Sequence, residues 1–142
     1  MAKNRNKQVG LVGLGTMGSA LAEAFVREGY EVYAVDPALN QKQFALKDVM
    51  VKPNLLKMVK AMATPRRLLL MVTSGDPVDS AIEELVPLLD TGDVIIDGGN
   101  SNFTDTMRRA TRVKKLGLMY VGTGISGGEA GARYGAAVMA GG

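Results

Sequence analysis

The chain has 142 residues, a formal net charge of +3, and neither cysteine nor histidine. Its length predicts one domain with a substantial core, and its composition excludes disulfides, thiolate chemistry and histidine as a general base or metal ligand. No apolar run approaches the roughly 20 residues that span a bilayer, and the basic N-terminus lacks the apolar core of a signal peptide, so we expect a cytoplasmic protein with no membrane partner and no metal.

The first predicted elements are a strand, a glycine turn and a helix. Val9–Val12 is an apolar strand, and the residues from Met17 onward show helical spacing, with Gly13, Gly15 and Gly18 around the junction. Gly13 permits a sharp turn, Gly15 lets the backbone approach a phosphate, and Gly18 lets the helix pack on the strand. Because a helix N-terminus supplies free N–H donors and positive charge, the stretch predicts a site for a dinucleotide pyrophosphate.

A second strand, Glu31–Val35, ends at Asp36, where a carboxylate would accept hydrogen bonds from the adenosine ribose. The predicted cofactor-binding residues in this region are Gly13, Leu14, Gly15, Thr16, Met17, Gly18 and Asp36. The alternative is a glycine turn in another kind of α/β protein. It is less favoured because strand, glycines, helix, second strand and acid occur in the required order.

Strands and helices continue to alternate beyond this unit. We predict a short helix over Ala38–Leu46, a short strand over Asp48–Val51 and a helix beginning near Pro53. The uninterrupted apolar run Leu68–Val72 is typical of a strand buried on both faces of a parallel sheet.

The second half repeats the pattern. Asp76 and Pro77 begin a helix whose end Pro87 distorts. The strand Val94–Asp97 then runs directly into the glycine loop Gly98–Asn100. A further strand of this sheet therefore also ends in a glycine loop.

The next predicted helix has an apolar face with basic residues between its apolar positions. The apolar residues are Phe103, Met107, Ala110, Val113 and Leu116. The basic clusters in this helix and at the N-terminus raise the possibility of nucleic-acid binding. However, the chain has only seven aromatic residues and no recognition motif. A solvated helix face and a frayed tail are therefore favoured, with no nucleic-acid partner.

The last predicted elements are a strand over Leu118–Gly122, a glycine loop over Thr123–Gly135 and an apolar stretch over Ala136–Ala140. Alternating strands and helices predict an α/β fold, a doubly wound (Rossmann-type), mostly parallel sheet with helices on both faces. In such sheets ligands bind beyond the carboxyl ends of the strands. All the glycine loops should therefore gather along one crevice.

Three segments, GLVGLGTMG at 10–18, IIDGGNS at 95–101 and GISGGEAGARYGAAVMAGG at 124–142, resemble the 6-phosphogluconate dehydrogenase family of the β-hydroxyacid dehydrogenase superfamily. The similarity covers essentially the whole chain in collinear order. It implies an NAD- or NADP-linked oxidation of 6-phosphogluconate, a phosphorylated sugar acid. It also implies a subsequent decarboxylation to ribulose 5-phosphate in the pentose phosphate pathway and a homodimeric parent enzyme.

The resemblance also implies roles for three later loops. The family's second cofactor loop matches Val72, Thr73 and Ser74. Its asparagine, which contacts cofactor and substrate, matches Asn100, and its substrate-binding Ser-Gly-Gly matches Ser126, Gly127 and Gly128. The alternatives are a helix cap at Asn100, a tight turn at Ser126 and a plain loop at Thr73 and Ser74.

Two departures from the family matter. Long-form members of the family usually carry Asn-Arg-Thr at the end of the second strand, whereas this chain has Asp36, Pro37 and Ala38. A carboxylate there repels a 2′-phosphate, so we predict that NAD is preferred, with NADP possible if Lys42 compensates.

The second departure is that the family's general base, proton donor and phosphate-binding arginines lie downstream of the matched segment. We therefore expect residues 1–142 to be a dinucleotide-binding domain, truncated at its C-terminal end and lacking the family's helical domain. No catalytic residue is assigned, and the chain alone should be inactive. The alternatives are a dehydrogenase of another β-hydroxy acid and a free-standing dinucleotide-binding module.

Overall fold

Seven strands and five helices occur in the part of the chain that the structure, a computed structural model, describes, namely residues 7–36, 38, 46–135 and 137–141. The strands are β1 (Gln8–Val12), β2 (Glu31–Val35), β3 (Val49–Val51), β4 (Arg67–Leu70), β5 (Val94–Asp97), β6 (Met119–Ser126) and β7 (Ala137–Gly141). The helices are α1 (Thr16–Arg27), α2 (Leu55–Ala61), α3 (Asp76–Leu85), α4 (Phe103–Lys115) and α5 (Gly128–Tyr134). Most of the helix predicted over 38–46, including Lys42, lies outside the described residues.

The strands form one sheet in the order β3-β2-β1-β4-β5-β6-β7. Every neighbouring pair is parallel except β6 and β7, which are antiparallel. The chain adds β2 and β3 on one side of β1 and then returns to add β4 to β7 on the other side. This change of direction at β1 is the arrangement of a doubly wound sheet. The predicted fold class is therefore confirmed.

Both faces of the sheet are covered, as the run Leu68–Val72 predicts. Leu68 and Leu70 are fully buried in a cluster with residues of α2, α3 and α4, whereas Leu69 belongs to a cluster with residues of α1 and α5. Successive strand side chains point to opposite faces. A strand between two helical layers is therefore apolar at every position.

The predicted helix signals at Asp76, Pro77 and Pro87 are present, but Pro53 lies before the N-cap of α2 and not in its first turn. Asn54 caps α2 by accepting the N–H of Lys57 at 2.9 Å. The helix α3 begins at Asp76, and a single 3-10 turn, Val86–Leu88, follows it at Pro87. The expected distortion by this proline is confirmed, since its ring cannot continue an α-helix.

The predicted loop over Thr123–Gly135 is wrong in part. Strand β6 continues through Ser126, because β7 turns back and pairs with it in the register Gly122↔Gly141 to Ser126↔Ala137. Between β6 and β7 the chain forms α5, and its Ala132 is buried in the same cluster as residues of α1. Glycine density suggested a loop here, but tertiary pairing and packing outweigh local propensity.

The predicted orientation of α4 is also wrong in part. Val113 is buried, but Phe103 is 77% exposed and Met107 is 46% exposed. The helix instead buries Arg109, which is 1% exposed, while Arg108 and Arg112 are solvated as expected. Arg109 forms an ion pair with Asp79 of α3 at 2.9 Å, which together with the burial of Val113 favours this rotation of the helix.

Candidate functional site

The first glycine loop joins β1 to α1, and two of its glycines lie tightly against neighbouring backbone. Gly13 has φ +103°, and a Cβ placed there would lie 2.5 Å from the carbonyl oxygen of Met71. A Cβ on Gly18 would lie 2.1 Å from the carbonyl oxygen of Gly13. These two glycines have the structural roles that the sequence predicts, the sharp turn and the close helix packing.

Gly15 differs from both, because the space beside it is empty. It is the N-cap residue of α1 with φ −68°, and a Cβ there would meet no atom of the described residues within 4 Å. No side-chain hydrogen bond caps this helix and its first turn contains no acidic residue. Gly15 and Thr16 are exposed and Met17 is half-buried. The N-terminus of α1 is therefore open to an anion.

Asp36 is connected to this loop. Its Oδ2 accepts the N–H of Leu14 at 2.7 Å, and its Oδ1 accepts the N–H of Ala38 at 2.9 Å. A carboxylate has about four acceptor positions, so it can still accept ribose hydroxyls. The Leu14 side chain is buried and its N–H is already engaged, so Leu14 holds the loop rather than presenting a donor.

The segment after β4 lies beside the first glycine loop. The N–H of Met71 donates to the carbonyl of Val12 at 2.7 Å. Val72 is half-buried, and Thr73 and Ser74 are exposed. Their hydroxyls are therefore accessible at the carboxyl edge of the sheet.

The loop after β5 continues the series. A Cβ on Gly99 would lie 2.8 Å from the carbonyl oxygen of Val72, which places the two loops in contact. Asn100 has φ 56°, and its Oδ1 accepts the N–H of Ile125 at 3.0 Å while its Nδ2 donates to the Ile125 carbonyl at 3.4 Å. The cap of α4 is Asn102, which accepts the N–H of Asp105. Asn100 therefore has no capping role and links its loop to β6.

Ser126, Gly127 and Gly128 are exposed and connect β6 to α5, with φ 113° at Gly127 and 63° at Gly128. Helix α5 packs on α1, where Arg133 Nε donates to Glu23 at 2.9 Å. The guanidinium of Arg27 also donates to the carbonyl of Arg133. The Ser126 segment is thus held between the Asn100 loop and the helix that begins at the first glycine loop.

Contacts between neighbouring segments connect the loops that carry the predicted site residues. The series runs from Asp36 to the first glycine loop, then to the Met71–Ser74 segment, the Gly98–Ser101 loop and the Ser126–Gly128 segment. The loops predicted to gather at one edge of the sheet do so.

A layer of buried polar side chains lies beneath these loops, and the sequence patterns did not predict it. Asp97 is 1% exposed and accepts from Ser101 Oγ at 2.5 Å, from the hydroxyl of Tyr120 at 2.8 Å and from the N–H of Gly99 at 2.9 Å. Burial, and then the bond to Asp97, raise the pKa of Tyr120 above its ordinary value. The sequence signal for this layer was Asp97 itself, an acidic residue that ends an apolar strand directly before two glycines.

A groove with a volume of about 460 Å³ opens between the Gly98–Ser101 loop and β7. Asn100, Phe103, Met107, Gly124 and Met139 line it, and its surface is mainly apolar. The site thus combines an open helix N-terminus and exposed backbone donors with an adjacent groove.

A family model described as the NAD binding domain of 6-phosphogluconate dehydrogenase matches residues 8–142. The chain belongs to this family. It is 44% identical over 140 residues to the human decarboxylating 6-phosphogluconate dehydrogenase, covering 94% of this chain and 29% of that protein. The chain therefore spans less than a third of the length of this curated relative.

Solved structures give the same result. The domain resembles the 6-phosphogluconate dehydrogenase of Plasmodium falciparum, with 28% identity, a TM-score of 0.83, and coverage of 94% of this chain and 30% of that one. That structure is described in apo form, with NADP+ and with 6-phosphogluconate. The 3-hydroxyisobutyrate dehydrogenase of Mycobacterium tuberculosis shares the fold, with 23% identity, a TM-score of 0.83, and coverage of 96% of this chain and 46% of that one.

Within the ranges that the structure describes, no helix has the length and hydropathy of a membrane span. The same ranges contain no group of three acidic, histidine or cysteine side chains that could hold a metal ion.

Proposed function

We propose that this chain is the cofactor-binding part of an oxidoreductase that oxidatively decarboxylates 6-phosphogluconate to ribulose 5-phosphate. One observation carries the proposal, namely the unbroken series of contacts from Asp36, past the open N-terminus of α1, to Asn100 and Ser126. Membership of the family and the similarity to enzymes of that name support it.

The cofactor would lie along the carboxyl edge of the sheet. Its adenosine ribose would donate hydrogen bonds to Asp36, and its pyrophosphate would face Gly15 and the first turn of α1. Its nicotinamide half would approach Thr73, Ser74 and Asn100. Gly15 supports this orientation, because its open side leaves room for phosphates where Gly13 and Gly18 leave none. A bound nicotinamide would supply the hydride acceptor.

Substrate would bind at Asn100 and the Ser126–Gly128 segment. These residues offer a neutral amide, a hydroxyl and exposed backbone N–H groups, which suit the carboxylate and hydroxyls of a sugar acid. The two hydrogen bonds between Asn100 and Ile125 hold the amide beside the Ser126 segment. Cofactor and substrate would then meet at Asn100.

We expect no turnover from these 142 residues alone. The sequence contains no histidine. The two charged side chains joined to the Asn100 loop, Asp97 and Arg109, are buried and hydrogen-bonded to neighbouring groups. Neither is free to accept the hydroxyl proton that leaves during oxidation.

NAD should bind more tightly than NADP, because the charge of Asp36 repels a 2′-phosphate. Repulsion between unit charges 4 Å apart is worth about 1 kcal/mol in water and about 4 kcal/mol near a protein surface. Calorimetric titration of the chain with each cofactor tests this. Tighter binding of NADP would overturn the preference, and binding of neither would overturn the proposed function.

Asp36→Asn is the matched variant for this titration. It removes the charge while keeping an oxygen that can accept the N–H of Leu14. We expect NADP affinity to rise about tenfold relative to NAD. An unchanged ratio would mean that Asp36 does not face the 2′ position.

A further inference from the structure

Arg109 is the largest fully buried side chain of the described residues, and each of its three guanidinium nitrogens donates to an acceptor. Its Nε and Nη2 form a two-bond pair with the carboxylate of Asp79 at 3.0 and 2.9 Å. Its Nη1 donates to Ser101 Oγ at 2.9 Å, and Nη2 also donates to the carbonyl of Gly75 at 3.0 Å. One guanidinium therefore joins helix α3 to two separate loops.

The two loops are those in the proposed site. Gly75 ends the segment that carries Thr73 and Ser74, and Ser101 directly follows Asn100. Ser101 also donates to Asp97, so the link from Arg109 continues to the end of β5. Between the two segments themselves, Gly99 lies against the carbonyl oxygen of Val72, and a glycine restricts the backbone only weakly.

The geometry requires arginine rather than a cation of any other shape. A guanidinium presents five donors in a fixed plane, so it can bind a carboxylate with two bonds and still reach two more acceptors. A lysine ammonium is a single point and cannot span these partners. The hydrogen bonds from Arg109, and then those from Arg108, hold the pKa of Asp79 well below its ordinary range, so the pair is ionised at neutral pH.

We propose that Arg109 and Asp79 are positioning residues that fix the Thr73–Gly75 segment relative to the Gly98–Ser101 loop. Arg109 contacts both loops directly, and Asp79 acts through Arg109. Where the inference concerns cofactor affinity it rests on the proposed function. The loop geometry itself does not depend on it.

Two backbone amides report on the loops without any ligand. The N–H of Val78 donates to the carbonyl of Gly75 at 3.1 Å, and the N–H of Gly99 donates to Asp97 Oδ1 at 2.9 Å. The N–H of Val94 donates to the backbone carbonyl of Arg66 at the opposite end of the sheet, and it serves as the reference. Amide hydrogen exchange measured by NMR on the whole chain follows all three.

The variants are Arg109→Lys and Asp79→Asn, and the matched control is Arg108→Lys. Arg108 is the adjacent arginine on the same helix and pairs with the same carboxylate at 3.0 Å, but its bonds go only to Asp79 and Asp105. We expect exchange at Val78 and Gly99 to rise about tenfold in both test variants and to stay unchanged in the control. The reference amide should not change.

Calorimetry on the same proteins gives the second readout. The dissociation constant of NAD should rise about tenfold in Arg109→Lys and Asp79→Asn and remain unchanged in Arg108→Lys. If Arg109→Lys does not fold, Asp79→Asn decides, because the hydrogen bonds of the Asp79 carboxylate go to Arg108 and Arg109 rather than to either loop. If the wild-type chain binds no NAD, the proposed function fails, and the exchange data alone decide the positioning roles.

Two results would overturn the inference. One is an equal rise in exchange at all three amides, which would mean that the pair stabilises the domain as a whole. The other is unchanged exchange at Val78 and Gly99 in a folded variant, which would mean that the loops hold their positions without the pair.

Discussion

Replacing Gly15 by alanine isolates binding from folding in the proposed pyrophosphate site. The backbone of Gly15, with φ −68° and ψ −165°, suits alanine, and the added methyl would meet no atom of the described residues within 4 Å. Alanine is a poorer N-cap than glycine but reduces the entropy of the unfolded chain. We expect these effects to offset, leaving the free energy of unfolding within about 1 kcal/mol of wild type.

The same methyl occupies the space that the phosphates would need. Forcing an extra carbon into a close contact costs about 1 to 3 kcal/mol, so the dissociation constant of NAD should rise roughly 5- to 150-fold. Isothermal titration measures the affinity, and urea unfolding measures the stability of the same preparation.

Gly18→Ala is the control with the opposite expectation. Its methyl would lie 2.1 Å from the Gly13 carbonyl oxygen, so α1 must move by about 1 Å and the free energy of unfolding should fall by about 1 to 3 kcal/mol. Unchanged NAD affinity in a stable Gly15→Ala variant would refute the placement of the phosphates. A marked loss of stability in that variant would show that the space beside Gly15 is not free.

Three further predictions concern the polar contacts that hold the fold. Asp93→Asn should lower the free energy of unfolding by about 3 kcal/mol in urea titrations, because the fully buried carboxylate accepts both the N–H and the guanidinium of Arg66. Hydrogen bonds from Arg109 depress the pKa of Asp79 in the folded state, so its stabilising contribution is complete above pH 3.8 and is lost as the pH falls further. Acid unfolding of Asp79→Asn should therefore depend less steeply on pH below about 4 than that of wild type. Asn102→Ala should cost about 1 kcal/mol in thermal unfolding, because its side chain caps α4.

The sequence predicts, for local reasons, that the loops of the candidate site lie together at the carboxyl edge of the sheet. A glycine after a buried strand, a helix beginning two or three residues later and an acid at the end of the next strand each follow from short-range rules. The parallel sheet then brings the loops together, since the carboxyl ends of its strands share one edge. Asp36 and Leu14 meet in the structure for this reason.

Helix α4 shows where such rules fail. Apolar spacing predicted that Phe103 and Met107 face the core, but they lie beside the groove, and Arg109 is buried in their place. The deciding interaction is with Asp79, thirty residues earlier in the chain. Periodicity measures the polarity of each helix separately, so it cannot detect that two charged residues on different helices are partners.

The same limit explains why the sequence did not predict the buried polar side chains beneath the loops. Loops rich in glycine can approach a ligand closely, but they hold no fixed position by themselves. Side chains beneath them must supply the order, and in this domain those are Asp97 and Arg109 with the hydroxyls of Ser101 and Tyr120. In the sequence Arg109 cannot be told from the surface arginines beside it, and Asp97 is marked only by its place at the end of an apolar strand before two glycines. Motifs thus predict the residues that we propose contact a ligand, whereas the residues that position them become visible only when burial and hydrogen bonding are known.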